Sequence, residues 1–257
     1  LSMGCVAKQY YHGLGVEKDV DKALHYAYKG AECMDGSSLQ VIGEYLGSEL
    51  GEWDKALTYF KALASVGDPE GTHYTGWCLM TGNGTEPAPE EACKFLAKAA
   101  DMGHVQSMFL LGGFYSDTSN PHKNYPLSLH WLRKAAERDH AFALVLLGKL
   151  HLTSEADVLD FEQAYSYFDR ASSFGFHKAY SFMSECHRLG WGVEEDINLA
   201  FSYMLKAAEL GCKNAMKLVS EYYAEGFGTE MDYYQSDIWL QKFQRCTEDK
   251  PYHFVDQ

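Results

Sequence analysis

One interval runs through the chain and limits what it can fold into. A small residue recurs at Ala23, Ala56, Ala92, Ser128, Ala164, Ala200 and Ser236, the first step being 33 residues and the next five 36. Three residues after each stands an aromatic: Tyr26, Tyr59, Phe95, Trp131, Tyr167, Tyr203 and Trp239. Seven after, Ala99, Ala135, Ala171 and Ala207 agree, while Gly30, Leu63 and Phe243 depart. Eleven after, Gly67, Gly103, Gly175 and Gly211 agree, while Met34, Asp139 and Thr247 depart. Twenty after, the residue is always small: Gly43, Gly76, Gly112, Gly148, Ser184 and Ser220, with Ala7 in the same slot ahead of the first copy. Slots that agree in phase along the whole chain describe one supersecondary unit, which buries its apolar faces only by stacking on copies of itself.

Each unit reads as two helices. In Asp196–Ala215, Ala200, Tyr203 and Ala207 recur at helical spacing and share one face. Gly211 follows the last apolar turn, where a left-handed residue ends a helix without a Cβ clash. The small residue lets two helix backbones approach closely, and the aromatic is expected to fill the gap between adjacent hairpins. Copy one runs a first helix over about 2–11, turns at Gly13 and Gly15, and runs a second over about 20–33. Copy two is three residues short before Trp53. Copy three turns at Gly82-Asn83-Gly84 and resumes at Pro89, which suits a first helical turn because its missing N–H has no partner to lose. Copies four and five lack the paired glycines, at Asp117–Pro126 and around Ser154 and Ala156, and so must turn differently. Copy six is the most regular, and copy seven turns at Gly226 and Gly228 before a helix to about Arg245.

At this point the chain resembles the Sel1-like repeat family, a relative of tetratricopeptide repeats. Ala143, Leu147 and Gly148 match the family's first helix, and Gly190, Gly192, Val193 and Asp196 its turn. Lys134, Ala135 and Ala136, and again Lys206, Ala207 and Ala208, match its second helix. The resemblance covers residues 2 to about 246 and implies an all-α, right-handed superhelical solenoid of about seven helix-turn-helix repeats of 36 residues. The array is therefore placed at 1–246, with 247–257 as a C-terminal tail or cap. The matching residues are packing residues, so they speak to the fold and not to a reaction.

Charge narrows the partners. The formal net charge is −14 and no run of Lys and Arg occurs, which argues against nucleic acid and against an anionic membrane surface. No apolar run reaches the length a membrane helix needs. A partner with basic flanks fits the charge better, although acidity also serves solubility. Seven cysteines form no recurring pair of slots; only Cys78 and Cys186 share one. A cysteine-rich branch of the family staples each hairpin with a disulfide. Here the odd count without a framework points to thiols in a reducing cytosol, with Cys78–Cys93 as the candidate bridge if one forms. Leu1 is not an initiator Met, so a leader or earlier repeats are expected alternatives upstream, and a removed leader would place the chain in the periplasm or secretory pathway instead.

The motifs that carry chemistry are missing. There is no Cys-x-x-Cys and no pair of histidines three or four apart, so no helix face presents a metal pair. Gly13-Leu14-Gly15 and Gly82-Asn83-Gly84 recur with the repeat and read as turns, not phosphate loops. His151 and His187, in the slot of Tyr10, Tyr115 and Tyr223, read as packing residues. Asn83-Gly84-Thr85 fits a glycosylation acceptor but reads as unmodified, and Glu194-Glu195 suits a helix dipole. No catalytic, cofactor or metal residue is assigned. By the resemblance, the first helix of each hairpin lines a concave face. Its slots carry an apolar centre of Trp77, Met80, Phe109, Phe142, Val145 and Leu152, with Lys149, Glu185 and Arg188 beyond. The expectation is a non-enzymatic adaptor or scaffold that holds a segment of another protein on that face. The alternative is an inhibitor or immunity-type protein covering the active site of a secreted enzyme.

Overall fold

The computed structural model describes residues 2–153 and 159–246. Among the described residues fourteen α-helices follow one another: α1 (Met3–His12), α2 (Val20–Ala31), α3 (Gly36–Glu44), α4 (Trp53–Ser65), α5 (Pro69–Thr81), α6 (Pro89–Asp101), α7 (Val105–Ser116), α8 (Tyr125–Glu137), α9 (Ala141–His151), α10 (Phe161–Ser172), α11 (His177–Leu189), α12 (Ile197–Glu209), α13 (Lys213–Glu225) and α14 (Tyr233–Arg245). No strand occurs among the described residues. The expected copy-five turn around Ser154 and Ala156, and the 247–257 tail or cap, lie outside them. Contacts divide the chain into two units, one ending at Phe114 and the other beginning at Tyr115. In the first, α1 packs on α2, α3 on α4 and α5 on α6, with α2 also against α3 and α4 against α5. In the second, α9 pairs with α10, α11 with α12 and α13 with α14, and α8, α10 and α12 each pack on the helix that follows.

Helix ends are where the sequence speaks most directly. Asp19, Asn124, Asp160, Asp196 and Asp232 each cap a second helix by accepting the backbone N–H three residues on. Such a cap is worth about 1 kcal/mol. The N–H of the capping position also closes the turn. Asp19 donates to the Tyr10 carbonyl, Asn124 to Tyr115, Asp160 to His151, Asp196 to His187 and Asp232 to Tyr223, all at 2.8–2.9 Å. The glycine-poor copies four and five thus reach the same closing bond as the glycine turns. Copy two solves its shortage otherwise: the first helix continues as a π-turn, Tyr45–Glu49, and enters α4 almost at once. At the far end of the first six hairpins the left-handed slot holds even where glycine is absent. Met34 and Asp139 adopt φ of 55° and 60°, beside 80° at Gly67 and 94° at Gly211.

The small slot does what its composition suggests. A Cβ built on Gly148 would stand 2.4 Å from the Phe168 ring, and one on Gly43 would stand 2.6 Å from Phe60. Where the slot is serine the side chain bonds across instead: Ser184 Oγ donates to the Ala200 carbonyl and Ser220 Oγ to that of Ser236. The aromatic slot behaves differently from expectation. Three of its side chains lie on the first helix of their own hairpin, Tyr26 on Tyr10 at 6.1 Å, Tyr167 on His151 at 5.5 Å and Tyr203 on His187 at 5.5 Å. In copies one to six the fully buried position is the next residue: Ala27, Phe60, Leu96, Leu132, Phe168 and Met204 are all 2% exposed or less, whereas in copy seven Trp239 is buried and Leu240 exposed. The reason is the helical turn of about 100° per residue, which swings the second of two consecutive side chains into the seam. Between hairpins the close approach belongs to the second glycine of each turn. A Cβ on Gly84, Gly192 or Gly228 would stand within 2.3 Å of the Trp53, Phe161 or Ile197 carbonyl oxygen, at the start of the preceding second helix. Cys78 and Cys186 are buried free thiols, Cys78 therefore unbridged to Cys93, and burial pushes both up to about 12.

Candidate functional site

In the first unit α1 and α3 lie against each other, so first-helix residues of successive hairpins meet. Glu44, the last residue of α3, has a side chain only 4% exposed. Gln40 Nε2 donates to its Oε1 at 2.7 Å and the Tyr74 hydroxyl donates to the same oxygen at 3.4 Å. The other oxygen, Oε2, is buried and accepts no hydrogen bond; His12 Nε2 lies 3.5 Å from it. Burial holds this carboxyl above its ordinary range, against the Gln40 bond and the nearby His12 and Lys8. Burial, then Glu44, pushes the Tyr11 hydroxyl up to about 12.

A second polar group sits beside it. The Ser107 N–H donates to His104 Nδ1 at 3.2 Å, which makes that nitrogen an acceptor and leaves the ring proton on Nε2, 3.4 Å from Glu70 Oε2. The Ser107 hydroxyl lies 3.0 Å from His104 Nδ1 and 2.9 Å from His73 Nδ1. One proton order avoids facing lone pairs: His73 Nδ1–H donates to Ser107 Oγ, and Ser107 Oγ–H donates to His104 Nδ1. The His73 and His104 ring centroids are 4.2 Å apart. Burial pushes His73 down to about 3, so it is neutral. The His104 bond holds Glu70 below the usual carboxylate range, against burial. Serine, histidine and carboxylate stand here in the order of a nucleophile relay, but Ser107 is 0% exposed and no acyl carbon can reach it. The chain of bonds therefore orders the start of α7. No set of three ligating side chains among the described residues could hold a metal ion.

The apolar residues expected on the first-helix face are placed unit by unit. Trp77, Met80 and Phe109 are half-buried in the first unit, and Trp77 packs on Trp53 with ring centroids 5.1 Å apart. A Cβ on Gly113 would meet nothing within 4 Å. In the second unit Phe142 is half-buried against Phe176 at 4.4 Å, Leu152 is half-buried and Lys149 is exposed. Val145 is 6% exposed and belongs to the core, with little surface left for a partner. Glu185 and Arg188 pair with each other at 2.5 Å, and both act on the Tyr222 hydroxyl, which burial raises first. No helix among the described residues is long and apolar enough to cross a membrane.

Five segments, 3–33, 69–104, 105–140, 141–173 and 177–212, match the Sel1 repeat, together about two thirds of the chain. The chain belongs to the Sel1 repeat family. Sel1 repeat proteins are protein-interaction scaffolds, and the family is generally non-enzymatic. Among solved structures, a Sel1 repeat protein from Oxalobacter formigenes aligns over 98% of this chain and 100% of its own, with a TM-score of 0.82 and 22% identity. A protective antigen present in uropathogenic Escherichia coli strains aligns over 94% of this chain and 60% of its own, with a TM-score of 0.56 and 22% identity. An immunity protein from Pseudomonas aeruginosa aligns over 76% of this chain and 74% of its own, with a TM-score of 0.51 and 20% identity. At these identities the likeness is one of fold. No curated protein matches the chain.

The Sel1 register also explains what sequence reading missed. Residues 31 apart meet across hairpins: Gly4 N–H donates to Asp35, and Arg170 Nε donates to Asp139 at 3.0 Å. His73 and His104 are another such pair. A search for histidines on one helix face passes over them, because the partner lies on the next hairpin. Glu70, Ser107 and His12 carried no sequence signal of their own.

Proposed function

We propose that this Sel1 repeat chain is a non-enzymatic adaptor that holds a segment of another protein against the row of first helices. The observation that carries the reading is the set of large apolar side chains which hairpin packing leaves half-buried on that row: Trp77, Met80 and Phe109 in the first unit, Phe142 and Leu152 in the second. Apolar centres bordered by charged groups are the usual form of binding hot spots. Lys149, Glu185 and Arg188 supply such a border in the second unit. The net charge of −14 favours a segment with basic flanks.

The test is partner capture from the native host with wild type and with Trp77→Ala/Phe109→Ala. The double variant should lose about 2 kcal/mol or more of binding, some thirtyfold, if these are hot-spot residues. Its far-UV circular dichroism should match wild type. Intact capture by the double variant refutes the reading, and lost helicity reassigns both residues to the core. A second reading, inhibition of a secreted enzyme, draws support from the fold likeness to the Pseudomonas aeruginosa immunity protein and from a charge suited to fast capture of a basic enzyme. A neighbouring gene for a secreted enzyme, and inhibition of that enzyme by the purified chain, would favour it over the adaptor.

A further inference from the structure

We propose that Glu44 is the seat for a cationic side chain of the partner, an arginine or a lysine, and that His12 covers the seat in the free protein. This rests on the reading of the first-helix row as the docking face. Glu44 is nine-tenths and more buried, yet only one of its oxygens is served: Oε1 takes bonds from Gln40 and Tyr74, and Oε2 takes none. A buried carboxylate oxygen without a donor is unfavourable until a donor, best a charged one, completes it.

The group lying over Oε2 is suited to leave. His12 is the last residue of α1, is followed by the left-handed Gly13, and has a side chain 35% exposed. Its ring can turn to solvent without breaking a helical bond. Its Nε2 stands 3.5 Å from Oε2 and makes no hydrogen bond to it. An ammonium or guanidinium in its place brings several N–H donors to an acceptor that lacks one. A second carboxylate stands near: Glu70 on α5 acts on Glu44, and its bond to His104 keeps it ionised. Lys8, which acts on both carboxylates, is the positive charge that the incoming group must tolerate. The acidic chain as a whole favours the approach of a basic segment.

The probe is the tripeptide acetyl-Gly-Arg-Gly-amide, with acetyl-Gly-citrulline-Gly-amide as its uncharged twin. The His12 imidazole and Gln40 side-chain amide resonances are followed as each is added to the full chain. Saturable shifts with the arginine peptide and none with the citrulline peptide are expected. Glu44→Gln should weaken the arginine response about tenfold or more, as loss of a charge-assisted bond does, whereas Glu221→Gln, in the second unit, should leave it unchanged. His12→Ala should strengthen it by uncovering the carboxylate, and this variant decides the matter if Glu44→Gln fails to fold. Equal shifts with citrulline, wild-type affinity in Glu44→Gln, or weaker binding in His12→Ala each overturn the seat. Partner capture separates this from the docking reading. Capture lost in Trp77→Ala/Phe109→Ala but untouched in Glu44→Gln removes the seat alone. Capture untouched in the double variant, with the arginine shifts intact, removes the docking face alone.

Discussion

Adding one methyl group at Gly148 tests how the repeats are held together. The slot lies inside α9 and is pressed by the Phe168 ring, which is 0% exposed and stacked on Phe182 at 4.8 Å. In an unobstructed helix Gly→Ala stabilises by about 1 kcal/mol. Here the new Cβ would stand 2.4 Å from Phe168 Cε1 and 2.7 Å from Cζ, well inside contact distance. The ring cannot swing away, because Phe182 backs it. Overpacking of a filled core costs about 1–3 kcal/mol, or more where the pieces cannot relax. After the helix-propensity gain, Gly148→Ala should destabilise by about 1–2 kcal/mol. Copy six shows a way out: a buried serine, Ser184, fills the same slot, and a buried methionine, Met204, stands at the position of Phe168. Gly148→Ala/Phe168→Met should then be less destabilised than the sum of its single variants, by a coupling of about 1 kcal/mol. Urea midpoints followed by circular dichroism at constant slope measure all four corners of the cycle. A Gly148→Ala protein as stable as wild type, or a cycle with no coupling, would refute the account of the slot.

Met34 is 54% exposed and left-handed at φ 55°, so Met34→Gly should stabilise by about 0.5–1 kcal/mol, the strain relieved less the extra freedom of the unfolded chain; thermal melting checks it. Burial raises Glu44 above its ordinary value of 4.5, so the folded protein holds that proton more tightly than the unfolded chain does. The stability it contributes is complete below 4.5 and is lost as pH rises through the folded value. Glu44→Gln abolishes that loss, and the variant should gain on wild type in urea midpoint as pH is raised from acid to neutral; a constant difference would refute it. Glu70 runs the other way: its stabilisation is present above the unfolded value and lost as pH falls through the lowered one. His104→Ala should return the Glu70 carboxyl toward its ordinary range in an NMR titration, since the His104 bond is the main cause of the shift.

The hairpins were legible because their signals are local. The left-handed glycines 67, 103 and 211 and the small slot each act within a few residues or on the facing helix of the same hairpin. The repeat then confirms each signal several times over. The aromatic slot was misplaced by one residue because period alone marks a face without saying which of two neighbours points into the seam. Val145 shows the same ambiguity from the other side, since its slot holds half-buried Phe109 in one copy and a core valine in another.

Sequence by itself thus determined the repeat of about seven hairpins, the slots where glycines end helices, and which family the chain joins. Those are matters of backbone preference and of spacing that survive in any one copy. Tertiary structure alone decided which side chains of different hairpins meet. It put His73 beside His104 and His12 over Glu44, and it gave copy two a π-turn in place of three missing residues. Such meetings depend on the offset between stacked hairpins, a geometric quantity set by the packing of glycine 84, 192 and 228 against the preceding helix and written in no single stretch of chain.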